Sequence, residues 1–174
     1  MKTGVREIDI GALFEAMDAR RRERGLSWQG VADEIWALSA ELNVRRNSHP
    51  ISPATLKGIA RGDTSCQHAL FALRWLNRSP ESFLVGGPEA APALPDPGPG
   101  RRLRWDLGLL YDTLDRRRQE GRLTWSELAL ELKCTPNQLT GIRTARFAIG
   151  MKLAMNIVQW LGRPAADFIY AGEW

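Results

Sequence analysis

Residues 14–35 read FEAMDARRRERGLSWQGVADEI, and residues 111–132 read YDTLDRRRQEGRLTWSELALEL. Aligned without a gap, these stretches share eight identical residues among 22 positions. A second pair of blocks follows in the same order, SPATLKGI at 52–59 and TPNQLTGI at 135–142. Separate matching blocks in one order indicate an internal duplication. The identical pairs are Asp18/Asp115, Arg20/Arg117, Arg21/Arg118, Glu23/Glu120, Leu26/Leu123, Trp28/Trp125, Ala32/Ala129 and Glu34/Glu131.

A proline- and glycine-rich segment, GGPEAAPALPDPGPG at 86–100, separates the two copies. Nine of its fifteen residues are proline or glycine, which disfavours a helix or a central strand. We interpret it as an extended, semi-stiff spacer that reaches roughly 45 Å at about 3.1 Å per residue. The predicted organisation is a first domain over 1–85 with an insertion at 36–51, a linker over 86–104 and a second domain over 105–174.

Apolar residues recur at helical spacing in both copies, and capping residues divide each copy into about five helices. Ser27 and Thr124 stand where the N-cap of the second helix belongs. Ser52-Pro53 and Thr135-Pro136 begin the third helix, since proline suits the first helical position. No segment shows the two-residue alternation of a half-buried strand, so we predict an all-α fold.

The tryptophans of both copies have predicted structural roles. Trp28 and Trp125 begin the second helix, and we expect them to pack against a neighbouring helix. Trp75 and Trp160 lie in apolar helices and are predicted to belong to the core.

The copies differ between their second and third helices, where the first copy carries 14 additional residues. We expect this insertion to extend the second helix through Leu42 and to add a loop with Arg45, Arg46 and His49. The loop either follows a phosphate backbone or is a mobile surface segment. The two copies are therefore not expected to be equivalent.

Charge and composition restrict the class of function. The net charge is +4 with a pI of about 9.5, and arginines cluster at 20–24, 45–46, 101–104 and 116–122. Such clusters are typical either of a phosphate-facing surface or of a solvated helix face. We predict no enzyme, no catalytic residue, no cofactor and no metal site. The two histidines and two cysteines form no metal-binding motif, and no phosphate-binding glycine loop occurs.

The N-terminal ten residues are rich in charge, and the sequence has no apolar run of about 20 residues. We therefore expect no signal peptide and no membrane partner. Two cysteines far apart in sequence, Cys66 and Cys134, fit a reducing compartment. The predicted location is cytoplasmic and nucleoid-associated.

The blocks LSWQGVADEI with ISPATLKGIARG, and LTWSELALEL with CTPNQLTGIRTA, resemble the Cro/repressor-type helix-turn-helix family, also called the xenobiotic-response-element type. The resemblance covers roughly residues 10–85 and 105–170. It implies two lambda-repressor-like, five-helix domains in tandem, with the third helix of each in the major groove and regulation of transcription as the usual role. Lys133 departs from the pattern, because a glycine is usual at that turn.

With Leu56, Ile59 and Leu139 facing inward, the outward sides of the third helices are the candidate base-facing surface. Asn and Gln pair bidentately with adenine, and Thr offers a hydroxyl and a methyl group for thymine. Lys57 also favours a phosphate contact. A glycine at the same place in both copies predicts close approach to a groove or to another helix. The base-facing set is Ala54, Thr55, Lys57, Gly58, Asn137, Gln138, Thr140 and Gly141.

Phosphate contacts are predicted at the start of the second helices and at basic side chains near the third. This phosphate-facing set is Ser27, Gln29, Arg45, Arg46, Arg61, Thr124, Ser126, Arg143 and Arg146.

Two functions follow from these expectations. The first is a sequence-specific regulator that binds double-stranded DNA with both domains, as a covalent pseudo-dimer on two unlike half-sites about 34 Å apart. The second is a protein–protein interaction module, antitoxin- or adaptor-like, in which one or both domains no longer bind DNA. Low net charge and the apolar end of the second copy (Phe168, Ile169, Tyr170, Trp174) favour a protein partner or a homodimer.

Overall fold

The computed structural model describes residues 4–47, 49–144 and 149–173 and is mainly helical. Within these ranges the first repeat contains α1 (Ile10–Glu23), α2 (Trp28–Ala37), α3 (Ala40–Arg46), α4 (Pro53–Gly58) and α5 (Cys66–Leu76). The second repeat contains α6 (Leu107–Glu120), α7 (Trp125–Leu132), α8 (Pro136–Thr140) and α9 (Met151–Leu161). Two strands, β1 (Arg102–Trp105) and β2 (Ile169–Gly172), and three 3-10 turns (Ile59–Arg61, Pro80–Phe83 and Ala165–Phe168) complete the described structure. No helix in these ranges is long and apolar enough to cross a membrane.

Equivalent side chains cap equivalent helices. Asp9 accepts from the amide of Ala12 at the start of α1, and Asp106 accepts from that of Leu109 at the start of α6, both at 2.9 Å. The predicted caps of the second and third helices are also formed, by Ser27, Thr124, Ser52 and Thr135. Each side-chain oxygen satisfies one of the amide groups that the first helical turn leaves unpaired.

An equivalent arginine, Arg21 or Arg118, links the first two helices of each repeat. Arg21 pairs with Asp18 and donates to the carbonyl of Leu26 at 3.0 Å, while its guanidinium lies over the Trp28 ring. Trp28 in turn stacks on Phe14 of α1, with ring centroids 5.3 Å apart. Four of the eight identities therefore stabilise the turn after the first helix. The matching residues of the second repeat are Asp115, Arg118, Leu123 and Trp125, with Tyr111 as the stacking partner.

The prediction of a purely helical chain was wrong at one place. β1 and β2 pair antiparallel, with Arg102 opposite Gly172 and Trp105 opposite Ile169. β1 takes in residues 102–104, which the sequence had assigned to the linker. Leu103 and Trp105 alternate with two arginines and are buried, so the strand places its apolar side chains on one face. The first repeat has a shorter counterpart, a single antiparallel bridge between Ile8 and Leu84.

The insertion also folds differently from the prediction. α2 ends at Ala37, and a separate helix, α3, begins at Ala40. Ser39 lies between them, is buried, and donates from Oγ to the carbonyl of Arg101 at 2.8 Å. The predicted helix through Leu42 is therefore interrupted, because the chain turns at Ser39 to reach the segment before β1. Leu42, a residue of α3, is buried.

Residues 86–100 form no helix or strand, but they are not a free spacer. A side chain and backbone amides of the first repeat donate hydrogen bonds to carbonyl groups of this segment. Arg74 donates to the carbonyl of Gly98 at 2.8 Å, and the amides of Glu41 and Leu42 donate to that of Pro99 at 3.1 and 3.2 Å. Pro97 is buried, so the segment folds back along the first repeat.

One continuous hydrophobic core joins the two repeats. It runs from Ile8 to Ile169 and takes residues from α5, β1 and α9. Trp75 is buried in it as predicted, whereas Trp160 is only half-buried. Phe168 and Ile169, which the sequence suggested as an apolar surface, are buried within the chain itself. Trp174 lies outside the described residues.

Candidate nucleic-acid interface

α4 and α8 are short helices that are anchored from one side. Leu56 and Ile59, and Leu139 and Ile142, are almost completely buried, as their spacing predicts. α4 packs against α2, and α8 packs against α7 in the same way. The 14-residue insertion has therefore not removed the packing between the second and third helices of the first copy.

The outward side of α4 carries few polar groups. Ala54 and Lys57 are exposed. Thr55 is half-buried, and its hydroxyl shares a hydrogen bond of 3.0 Å with the Oγ of Ser52, the N-cap. Lys57 is therefore the principal long polar side chain that α4 presents to solvent.

The outward side of α8 is richer in hydrogen-bonding groups. Asn137, Gln138 and Thr140 are exposed. The Oε1 of Gln138 accepts from the amide of Thr135 at 2.8 Å, which completes a capping box. A bidentate contact with adenine uses both amide atoms, so Gln138 has to leave this cap to make one, whereas Asn137 is outside it.

The glycines shared by the two copies have different surroundings. A Cβ added to Gly58 meets nothing within 4 Å, whereas one added to Gly141 lies 3.0 Å from the carbonyl oxygen of Asn137. Neither glycine is in close contact with another helix. The structure therefore gives no support to packing against another helix as the reason for the two glycines.

The start of the second helix differs in charge between the copies. Ser27 Oγ accepts from the amide of Gly30, and Gln29 next to it donates to Asp33 at 2.8 Å. Where α2 has Gly30, α7 has Glu127, whose carboxylate accepts from the amide and the hydroxyl of Thr124 at 2.7 and 2.9 Å.

The backbone and side-chain hydrogen bonds from Thr124 lower the pKa of Glu127, which therefore stays ionised at neutral pH. The first turn of α7 thus carries a carboxylate that the first turn of α2 lacks, and this carboxylate repels a phosphate. Ser126 is exposed at the start of α7, directly before Glu127.

Not all of the predicted phosphate-facing arginines lie on this surface. Arg45 donates to the carbonyl of Gly100 at 2.7 Å, and Arg46 donates to that of Glu173 at 2.8 Å. Both lie in α3 and not in the predicted loop, and their hydrogen bonds connect α3 to the segments before β1 and after β2. Arg61 and Arg143 are exposed next to the candidate faces. Arg146 lies outside the described residues.

The contacts between the repeats were not foreseen from sequence. The available signal was the short alternation of Leu103 and Trp105 with two arginines, at residues that we had largely placed in the linker and had not interpreted as a strand. Many of the hydrogen-bonding groups between the repeats are backbone atoms, which carry no signature in side-chain identity.

The thiols of the two cysteines are buried to different extents. Burial raises the pKa of the Cys66 thiol to about 12, and it also raises that of Cys134. No cluster of three or more metal-ligating side chains occurs in the described part of the chain.

Comparison with known proteins yields no match: no model of a protein family, no curated protein and no solved structure matches the chain.

Proposed function

We propose that this chain is a sequence-specific regulator of transcription that binds double-stranded DNA. In this proposal each repeat is a helix-turn-helix domain of the Cro/repressor type, built from α2 and α4 in the first copy and from α7 and α8 in the second. The third helix of each copy, α4 or α8, enters the major groove.

The observation that carries the proposal is the two-sidedness of α4 and α8. Their apolar residues are buried, while the outward side chains from Ala54 to Lys57 and from Asn137 to Thr140 are largely exposed. The open space around Gly58 supports close approach by a partner, because nothing within the chain requires a glycine there. Glycine in place of alanine destabilises a helix by about 1 kcal/mol.

The two faces favour different half-sites. Asn137 offers an amide for adenine and Thr140 a methyl group for thymine, whereas α4 offers Lys57 and small side chains. Arg61 and Arg143 are exposed. In this proposal they bind the phosphates beside the two faces. Arg45 and Arg46 are not part of this proposed interface, because they bind the carbonyls of Gly100 and Glu173.

Selection from a random pool of duplex DNA with the full chain tests the proposal. We expect enrichment of a two-part, non-palindromic sequence. Binding to it should weaken with salt by a slope of about −0.9 for each phosphate contact, hence roughly −3 or steeper. Recovery of no common sequence, or a slope near zero, would refute it.

One observation favours the alternative of a protein–protein interaction module. Leu130 on α7 is 81% exposed, beside the Glu127 carboxylate that disfavours phosphate. A carboxylate next to an exposed leucine suits a protein partner better than the phosphate backbone of DNA, because the carboxylate repels phosphate. The absence of any salt-dependent DNA binding by the full chain would favour this second function.

A further inference from the structure

The two repeats meet through reciprocal backbone hydrogen bonds. The amide of Cys66 donates to the carbonyl of Ile149 at 2.7 Å, and the amide of Met151 donates to that of Thr64 at 2.8 Å. Cys66 and Met151 are the first residues of α5 and α9, which are equivalent helices of the two repeats. Such an exchange between equivalent positions is the pattern of an isologous, two-fold contact.

Further hydrogen bonds join the two repeats. The amide of Arg6 donates to Oε1 of Gln159 at 3.0 Å, and Nε2 of Gln159 donates to the carbonyl of Arg6 at 2.7 Å. The amide of Ala165 donates to Oε1 of Glu81 at 2.7 Å, and Glu81 is only 5% exposed. A residue of the first repeat thus satisfies a buried amide of the second.

A third set of contacts links α5 to β1. The indole N–H of Trp105 donates to the carbonyl of Cys66 at 3.0 Å, and Nε2 of Gln67 donates to that of Leu103 at 2.8 Å. With the shared core, these bonds fix the orientation of one repeat against the other. The linker is not what sets their separation, because it is itself bound along the first repeat.

The junction is next to both candidate faces along the chain. Thr64 follows the 3-10 turn at Ile59–Arg61, which continues α4, and Ile149 lies after α8 and before α9. A two-fold relation at this point places α4 and α8 at equivalent positions about one axis. Two half-sites read from one side of a duplex are separated by about one helical turn or a multiple of it.

We infer that a single chain binds one DNA site whose two unlike half-sites have a fixed separation, and that the α5–α9 junction sets this separation. The inference rests on the proposed DNA binding. A second chain is not needed, because the two repeats already form a pseudo-dimer.

The test uses the full chain and the sequence that it selects. Inserting 5 base pairs between the two parts of the site should lower the affinity at least tenfold. Inserting 5 base pairs into a flank should leave the affinity unchanged. Sedimentation of the complex should give one chain per site. Equal affinity for all spacings, or two chains per site, would overturn the inference while leaving DNA binding intact.

Cleaving the linker tests whether the junction alone holds the two repeats together. A protease site inserted between Ala90 and Ala91 is cut after purification, and the uncut variant is the control. We expect the two fragments to elute together as one particle of about 19.5 kDa and to keep the preferred spacing. Separation of the fragments overturns the inference. If no sequence is selected at all, the proposed function fails, and co-elution alone then reports whether the junction exists.

Discussion

The indole N–H of Trp75 donates a hydrogen bond to Oε2 of Glu34, 2.9 Å away, and so links α5 to α2. Trp160 makes the same bond to Glu131 at 2.6 Å, between α9 and α7. The tryptophan and the glutamate of this pair are therefore the same residue types in the two copies. The identities that reveal the duplication therefore mark contacts that hold the helices together, whereas the outward residues of α4 and α8 have diverged.

Replacing Glu34 by alanine should destabilise the fold, because it removes the acceptor of Trp75 and the partner of Arg24. We expect a loss of about 1.5 kcal/mol, as is usual for a hydrogen bond to a charged group. Glu34→Gln keeps an acceptor and should cost less. Urea unfolding provides the measurement, with Asp33→Ala as the exposed control. Equal midpoints for Glu34→Ala and Asp33→Ala would contradict this interpretation.

Replacing Gly58 by alanine should stabilise the free protein by roughly 0.5–1 kcal/mol, because the position is helical and open. The same substitution should weaken DNA binding if the groove approaches this backbone. Gly141→Ala should not stabilise, since its Cβ lies 3.0 Å from the carbonyl oxygen of Asn137. Thermal unfolding and a binding titration of the two variants separate the effects. An unchanged affinity for Gly58→Ala would argue against a groove at α4.

The burial of the Cys66 thiol predicts that the folded chain loses stability at alkaline pH. Burial raises its pKa to about 12 in the folded chain, whereas an unfolded thiol has a pKa of about 8.5. The unfolded chain therefore loses its proton first, so stability is complete below about pH 8.5 and falls as the pH rises towards 12.

Between pH 8 and pH 10 this loss should amount to about 1–2 kcal/mol. Cys66→Ala should remove that part of the pH dependence, whatever its effect on stability at pH 8. Urea unfolding at both values is the measurement, and Cys134→Ala is the matched control, since that thiol is only half-buried. The same decrease in wild type and in Cys66→Ala would exclude Cys66 as its source.

Asn137→Ala should weaken binding to the selected DNA about 10- to 100-fold, as expected for loss of one bidentate base contact. Gln138→Ala should have a smaller effect, because Oε1 of Gln138 is engaged by the amide of Thr135. Gln119→Ala, on an exposed position of α6, is the control and should bind like the wild type. A titration at fixed salt compares all three. Wild-type affinity for Asn137→Ala would remove α8 from the interface.

Much of the local structure follows from short-range patterns. The caps at Ser27, Thr124, Ser52 and Thr135 each bind the amide three residues further on, so the sequence reveals them directly. Lys133 adopts the positive φ of 56° that the pattern demands at its turn, although it is not a glycine. The inward positions of α4 and α8 are local in the same sense, because they follow the helical period.

From residue identities alone, the chain is recognisable as a duplication of a helical unit, with its caps, its turns and two unlike outward faces. How the copies meet is visible only in the folded chain: β1 pairs with β2, α3 packs against the linker, and Cys66 bonds Ile149. Those contacts join groups more than 40 residues apart, and many use backbone atoms that every residue possesses. Periodicity and composition report local preferences, so they are silent on such long-range pairing.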